Sequence, residues 1–328
     1  MKRGTDIAAA ADVLRHGGLV AFPTETVYGL GADASREDAA AKIFAVKGRP
    51  RAHPLIVHLA AGELDGWAAE IPEAARRLVA VAWPGPLTVI LKRGPRVALA
   101  TTGGADTVGL RVPSHPMAQA LLRAFGGGVA APSANRFGAV SPTTADHVVA
   151  DLGDDVDYVL DGGPCAVGVE STIVDFSRGQ PVLLRPGGMP REAIEAIAGP
   201  LRAADAGAPA APGTLASHYA PRAMVVAVEP DELPAAYAEA TRADERGRPM
   251  YKVALLAPAS VLARWDEVPE PTYALPDDVE GMVRELYSAL RDLDAAGVDV
   301  VIAALPPAAG LGEAVGDRLR RAAGPRKP

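Results

Sequence analysis

Four polar segments interrupt the apolar runs of the N-terminal half, and they carry most of the residues that could do chemistry. They are PTETVYGLGAD (23–33), KGRPRAHPL (47–55), PSANRFGAVSPT (132–143) and GVESTIVD (168–175). Each adjoins a short apolar run typical of a strand, and loops at strand ends are where binding residues usually lie. We therefore expect a functional site built from these four segments.

Basic residues recur in and beside these segments. Lys47, Arg49 and Arg51 lie in the second, while Arg111 and Arg185 each end a short apolar strand and precede a proline. Arg and Lys supply both charge and directed N–H donors, so the group favours a pocket for a polyanion such as a phosphate chain. Taken singly, an arginine at a strand end is just as typical of a solvated residue.

Uncharged polar residues fill out the same segments. Ser133, Asn135, Ser141 and Thr143 could bind phosphate, ribose or base, although Pro-Ser-x-Asn is also common in turns. His58, inside the apolar run LIVHL, is either a core histidine or, if it faces a cavity, a ligand for a small polar group.

Several familiar kinds of site are missing from the sequence. There is no Walker-type phosphate loop, no G-x-S-x-G elbow and no cluster with metal-ligand spacing. The single cysteine, Cys165, is more typical of a structural thiol than of a nucleophile, and it excludes an internal disulfide. Residues 29–34 fit a loose dinucleotide pattern, but a tight glycine turn is favoured over a binding loop.

The order of helical and strand patterns divides the chain into three parts. Residues 1–198 predict an α/β domain with a mixed sheet, in which Ser35 and Ser114 are expected to cap helices. Residues 199–222 have no period and predict a linker or lid that carries His218 and Tyr219. Residues 223–328 alternate strand and helix, which predicts a small parallel α/β domain.

Composition narrows the class of protein. Of the 328 residues, 49% are hydrophobic, so the chain can form real cores. With 33 Lys and Arg against 40 Asp and Glu the net charge is −7, which argues against stable binding of nucleic acid through a broad basic surface. No apolar run is long enough to span a membrane, and we expect a cytoplasmic protein.

Taken together, the motifs resemble the threonylcarbamoyl-AMP synthase family in its long form, which has a YrdC-type catalytic domain and a C-terminal domain. The resemblance covers about residues 5–222, in order. The matching motifs are FPTETVYGLGA (22–32), KGRP (47–50), HPLIVH (53–58), WPGPLT (83–88), DTVGLRVP (106–113), AAPSAN (130–135), SPT (141–143), DGG with GVESTI (161–173), VLLRPG (182–187) and HYAP (218–221).

The resemblance implies a YrdC-type twisted mixed sheet with helices around a concave basic cavity, followed by a small Rossmann-like domain. It also implies a reaction in which L-threonine, bicarbonate and ATP, with Mg²⁺, give threonylcarbamoyl-AMP, diphosphate and water. A transferase complex would then pass the threonylcarbamoyl group to an adenosine of tRNA. Such chemistry needs positioning and charge neutralisation more than a covalent nucleophile.

The resemblance also implies roles for individual residues. Lys47 and Arg49 would be catalytic, Arg111 would hold the threonine carboxylate, Tyr219 would close over the nucleotide, and no metal ligand can be named. The nucleotide would contact Lys47, Arg49, His53, Thr107, Ser133, Asn135, Ser141, Arg185 and Tyr219. The threonine would contact Thr26, His58, Arg111, Ala131 and Ser171.

Three other interpretations compete with this one. A YrdC-type domain could bind RNA without catalysis, although only 5% of the residues are aromatic, which is few for base stacking. A carbamoyltransferase of hydrogenase maturation has a similar domain but needs zinc-finger cysteines that a chain with one cysteine lacks. A regulatory protein whose C-terminal domain senses nucleotides is the third.

Overall fold

The computed structural model describes residues 1–62, 64–243 and 249–325. They form two compact units, one made of Met1–Phe137 and Ser141–Thr214, the other of Gly138–Val140 and Leu215–Pro328. The division between 214 and 215 falls inside the segment predicted as a linker. The predicted C-terminal domain, 223–328, includes residues 244–248 and 326–328, which lie outside the described part of the chain.

A single eleven-stranded sheet organises the first unit. Its strands, in spatial order, are β1 (Lys2–Gly4), β8 (Tyr158–Leu160), β2 (Val20–Phe22), β3 (Gly29–Asp33), β7 (Val129–Ala130), β4 (Ile56–His58), β6 (Thr107–Arg111), β5 (Leu87–Lys92), β9 (Thr172–Asp175), β10 (Val182–Arg185) and β11 (Arg202–Ala203). Strands β4 and β6 are parallel, whereas β5 and β6 are antiparallel. The predicted mixed sheet is therefore confirmed.

Six helices pack against this sheet. They are α1 (Ile7–Arg15), α2 (Glu37–Lys47), α3 (Glu73–Ala82), α4 (Pro116–Phe125), α5 (Ala145–Leu152) and α6 (Arg191–Ala198). Buried apolar residues of α2, α3, α5 and α6 join one core with residues from the central strands, and α1 and α4 share a second core with β2 and β8. Both faces of the central strands are thus buried, which explains their continuous apolar runs.

The prediction of a tight turn at residues 29–34 is wrong, because this stretch forms strand β3 and pairs with β2 and β7. Its glycines allow side chains of the neighbouring strands to pack closely against β3. A Cβ atom on Gly31 would lie only 2.7 Å from Val129 and 2.8 Å from Phe22. The sequence pattern could not separate a glycine needed for a turn from one needed for close approach.

The two predicted serine caps are also wrong. Helix α2 begins after Arg36, and the Ser35 hydroxyl instead donates to the Asp33 carboxylate. Helix α4 begins after His115, whose ring accepts the hydrogen bond from the main-chain N–H of Met117. In both cases the helix starts at least one residue later than the pattern suggests, a common error at helix ends.

Part of the predicted linker belongs to the first unit. It includes the edge strand β11, which runs parallel to β10. Further along, Ala211 is buried in a small apolar cluster with Ile56, Ile90 and Ile173. The segment 208–212 therefore packs on the sheet, and the aperiodic, Ala- and Pro-rich sequence gave no sign of this contact.

The second unit contains a four-stranded parallel sheet, as predicted. Its strands, in spatial order, are β12 (Met224–Val228), β15 (Val300–Ala304), β13 (Val253–Pro258) and β14 (Thr272–Leu275). All three pairings are parallel. The helices are α7 (Leu233–Ala240), α8 (Ala259–Leu262), α9 (Val279–Ala295) and α10 (Gly312–Ala322). Within the residues that the structure describes, no helix is both long and apolar enough to cross a membrane.

Candidate active site

Strand register places three polar side chains in one row across the sheet of the first unit. His58, the last residue of β4, pairs with Arg111, the last residue of β6, and Arg111 pairs with Thr88 on β5. Register partners on neighbouring strands project to the same face. All three side chains are buried. The row is therefore a polar strip within an otherwise apolar sheet.

Arg111 is the charged centre of this strip. Its side chain is 4% exposed, so the alternative of a solvated strand-end arginine is wrong. Its Nη2 donates to the Glu25 carboxylate at 2.7 Å, and the other Glu25 oxygen accepts from the main-chain N–H of Ser114 at 3.0 Å. The Nε of Arg111 has no hydrogen-bond partner among the described residues. The guanidinium thus retains a buried donor that an anionic ligand could use.

His58 borders the same strip as a neutral imidazole. Burial, with repulsion from Arg111 as a second cause, lowers its pKa to about 3. Its ring stands edge-on to Phe22, with centroids 5.8 Å apart, and its Nδ1 has no hydrogen-bond partner within the described part of the chain. A neutral histidine beside a buried cation can hydrogen-bond a small polar ligand without competing for its charge.

The buried His58 should make folding sensitive to acid. Below about pH 6.5 the unfolded chain binds a proton that the folded chain rejects until about pH 3, so stability falls as the pH drops through this window. The slope from this group approaches about 1.4 kcal/mol per pH unit. Urea unfolding of wild type and His58→Gln at about pH 7.5 and 5.5 checks this, since the variant should lose less stability. An equal loss in both proteins would contradict it.

A second polar cluster lies at the ends of the next strands. The Ser171 hydroxyl lies 2.8 Å from that of Thr88, and Ser171 also accepts hydrogen bonds from Arg185 at its carbonyl and its hydroxyl. Arg185 is 3% exposed, so the alternative of a solvated arginine at the strand end is wrong for this residue too. Its Nη1 donates to the Pro212 carbonyl at 2.9 Å, which ties the 208–212 segment to the cluster.

Lys47 organises the loop that follows β7. It is the last residue of α2 and is 3% exposed. Its Nζ donates to the main-chain carbonyls of Ser133, at 2.6 Å, and Asn135. Burial and then repulsion from Arg49 hold the Lys47 pKa well below its ordinary value. The amine therefore fixes the PSAN loop, and a phosphate nearby would raise its pKa again.

Arg49 and His53 meet around one aromatic ring. The Arg49 guanidinium carbon lies 5.5 Å from the centre of the Phe137 ring, and the His53 ring meets the same ring edge-on at 5.6 Å. Arg49 also donates to the carbonyls of His53 and Pro54. The loop between α2 and β4 is thus folded back on itself, with a cation and an imidazole held together.

Ser141 and Thr107 are two further residues of the predicted nucleotide site. The buried Ser141 hydroxyl donates to the Glu170 carboxylate at 2.5 Å. Thr107, the first residue of β6, lines a cavity of about 10 Å³ that is bounded on one side by Ala210 and Pro212. That volume holds about one water molecule. The cavity as it stands is therefore too small for a nucleotide.

Tyr219 belongs to the second unit, and its contacts there are extensive. It has a positive φ of 60° and is 1% exposed. Its ring stacks on Tyr287 with centroids 5.9 Å apart, and the buried Arg318 guanidinium lies 4.9 Å from its centre. The adjacent His218 ring packs edge-on at 4.2 Å. The HYAP segment is therefore a packed part of the C-terminal unit, and closure of Tyr219 over a nucleotide stays a prediction.

Cys165 has the properties of a structural thiol. It is 4% exposed, and burial raises its pKa to about 12. Because the thiolate is the reactive form, we expect iodoacetamide to leave the folded chain unmodified and to alkylate it only after denaturation. Mass spectrometry of the treated protein checks this. Rapid modification of the native chain would contradict the structural role.

The structure brings most of the predicted residues into three groups. The strip and the Ser171 cluster contain His58, Arg111, Ser171 and Arg185, with Ala131 just after β7, beside β4 in the sheet. Lys47 joins Ser133 and Asn135, and Arg49 joins His53. Thr26 is buried next to Thr24, with their hydroxyl oxygens 2.8 Å apart.

Sequence reasoning missed three buried polar residues: Glu25, Thr88 and Glu170. All three lie within quoted motifs, but an isolated acid or threonine in an apolar run was not singled out. The available signal was chemical, because a carboxylate inside a strongly apolar motif needs a buried partner. No group of three or more His, Cys, Asp and Glu that could hold a metal occurs in the described residues.

Comparisons with known proteins identify the family of both parts of the chain. The family model described as telomere recombination, for Sua5, YciO and YrdC proteins, matches residues 12–187. The model for the C-terminal domain of threonylcarbamoyl-AMP synthase matches residues 189–324. Together the two models cover both units of the structure.

Full-length relatives extend the match. The chain is 44% identical to the threonylcarbamoyl-AMP synthase of Pyrococcus abyssi over 98% of its length and 94% of the relative's. It is 41% identical to that of Bacillus subtilis, covering 98% and 93%. The crystal structure of P. abyssi Sua5 complexed with L-threonine superposes with a TM-score of 0.87 at 41% identity, covering 98% of this chain and 96% of that one.

These matches define a two-domain protein with a YrdC-type catalytic fold. The chain belongs to the threonylcarbamoyl-AMP synthase family.

Proposed function

We propose that this chain is an L-threonylcarbamoyladenylate synthase. The observation that carries the proposal is the Arg111 guanidinium, which is buried beside a neutral His58 and does not use all of its hydrogen-bond donors. One of its donors is taken by Glu25, while its Nε is left for a ligand carboxylate. L-Threonine offers that carboxylate, with a hydroxyl and an amine suited to neighbouring polar groups such as Thr88 and Ser171.

The reaction balances without a covalent enzyme intermediate. The deprotonated amine of threonine takes up the carbon of bicarbonate and releases water, which gives a carbamate. A carbamate oxygen then attacks the α-phosphorus of ATP, the bond to the bridging oxygen breaks, and diphosphate leaves with the electron pair. The burial of Cys165, which raises its pKa and so disfavours the thiolate, agrees with a mechanism of positioning and charge neutralisation.

The cationic residues have distinct places in this scheme. Arg185 and Arg49 would contact phosphate oxygens or the adenosine, and Lys47 would neutralise the triphosphate while it holds the PSAN loop. The buried carboxylates of Glu25 and Glu170 are already engaged with Arg111 and Ser141. Mg²⁺ would therefore arrive with ATP, bound mainly by phosphates and water.

The proposal also includes the next step, in which the threonylcarbamoyl-AMP is consumed. A transferase complex would move the threonylcarbamoyl group from the adenylate to an adenosine of tRNA, in the cytoplasm. Because the mixed anhydride is labile to water, the synthase would hold it until transfer.

Diphosphate release tests the proposal. Purified protein with ATP and Mg²⁺ should release diphosphate only when both L-threonine and bicarbonate are present, and L-serine should support less release. Release without threonine would indicate a different reaction. Absence of release, together with salt-sensitive tRNA binding, would instead favour an RNA-binding module.

A further inference from the structure

Glu25 is a buried carboxylate bonded to Arg111 of the strip, and the reaction as written does not use it. Its side chain is 8% exposed. One carboxylate oxygen accepts from Arg111 at 2.7 Å and the other from the Ser114 N–H at 3.0 Å. Its main-chain carbonyl accepts from the N–H of Val167 at 2.7 Å. Two donors of the 111–114 segment thus hold the carboxylate, while Val167 fixes the main chain of residue 25, so the position of the carboxylate is well defined.

Arg111 has no comparable support of its own. The bond to Glu25 is the only side-chain hydrogen bond of Arg111 to another described residue, and its Nε lacks one altogether. An arginine side chain has large rotamer freedom, and a buried guanidinium without a partner is strongly disfavoured. Glu25 therefore supplies both the orientation and the counter-charge that Arg111 needs before a ligand binds.

The neighbours of Arg111 do not offer a substitute. His58 is neutral because its pKa is lowered, so it carries no negative charge that could take the place of the Glu25 carboxylate. Thr88, on the other flank, is already engaged with Ser171. If Glu25 were removed, neither His58 nor Thr88 would hold the Arg111 guanidinium in its place.

We propose that Glu25 is the positioning residue that aims the Arg111 guanidinium at the α-carboxylate of the amino-acid substrate. This inference rests on the proposed function. It predicts that recognition of a carboxylate, more than binding of the rest of the amino acid or of ATP, depends on Glu25. A residue that merely stabilised the fold would affect all ligands alike.

The test compares two ligands that differ only at the recognised group. L-Threoninol has the amine and hydroxyl of L-threonine but no carboxylate. Calorimetry should show that wild type prefers threonine by roughly 10- to 100-fold, the range expected for charge-assisted hydrogen bonds. In Glu25→Ala this preference should fall by on the order of 10-fold, because the guanidinium is no longer held. The KM for threonine should rise, with the KM for ATP nearly unchanged.

Two further variants make the result specific. Glu25→Gln keeps the size and one acceptor, so it should recover part of the preference and remain folded if the alanine variant does not. Glu37→Ala is the control, since the Glu37 carboxylate also accepts two hydrogen bonds, both of them from main-chain N–H groups, those of Leu99 and Ala100. It should leave the ratio of threonine to threoninol affinity unchanged.

The outcomes separate this inference from the function on which it rests. Full preference for threonine in both Glu25 variants, or tighter threonine binding by Glu25→Ala, would overturn the positioning role while leaving the proposed function intact. Equal binding of threonine and threoninol by wild type would contradict the carboxylate site itself, and the positioning role with it.

Discussion

Replacing Arg111 with alanine should raise the KM for L-threonine by roughly 10- to 100-fold, the cost of losing charge-assisted hydrogen bonds to a carboxylate. The KM for ATP should change much less, because Arg111 lies among the residues assigned to the amino acid. The substitution also leaves Glu25 as a buried, unpaired carboxylate, which should lower the free energy of unfolding by about 3–5 kcal/mol. Steady-state kinetics with each substrate varied in turn, and urea unfolding, measure the two effects.

Two variants make this result interpretable. Arg111→Lys keeps the charge but loses the planar fork, so it should fold better than alanine while still binding threonine weakly. Arg36→Ala removes a surface arginine that is paired with Asp38, and it should change neither quantity. An unchanged threonine KM in a folded Arg111 variant would show that the carboxylate is bound elsewhere.

Replacing Lys47 with methionine should reduce turnover at low ATP by on the order of 100-fold, because the change removes both a phosphate-neutralising charge and the support of the PSAN loop. Methionine fills a similar volume but donates no hydrogen bond to the carbonyls of Ser133 and Asn135. The resulting unsatisfied carbonyls should lower stability by about 1–3 kcal/mol. Kinetics at varied ATP and thermal unfolding with and without ATP provide the measurement.

Lys42→Met is the matched control for that experiment. Lys42 lies on the same helix, α2, and its Nζ also donates to a main-chain carbonyl, that of Gly17 at 2.6 Å. The control should lose some stability and keep its dependence on ATP. Equal kinetic effects in the two variants would mean that Lys47 acts only through the fold.

The parts of the fold that follow from local pattern were predictable. The alternation of apolar runs with helical periods indicated a mixed sheet and then a parallel one, and the structure confirms both. Motif order was equally informative, because the polar segments at strand ends converge on the strip and on the loop after β7. The sequence left open whether Arg111 and Arg185 are buried, because an arginine at a strand end has the same local sequence pattern whether it faces water or a pocket.

Other features depend on contacts between distant parts of the chain, and no local pattern encodes those. The burial of Ala211 against Ile56 joins residues far apart in sequence. The pairing of Glu25 with Arg111 likewise depends on strand order rather than on spacing. The role of Gly31 could be recognised only once β3 was seen to pack against Val129.

The most direct test of the proposed reaction follows the carbon of bicarbonate. The purified protein is incubated with ATP, Mg²⁺, L-threonine and bicarbonate labelled with heavy carbon, and the adenylate is identified at once by mass spectrometry. The account predicts threonylcarbamoyl-AMP that carries the label and forms only when threonine is present. An adenylate that forms without the label, such as threonyl-AMP, would contradict it. So would the absence of any adenylate when the protein is shown to be folded and to bind the nucleotide.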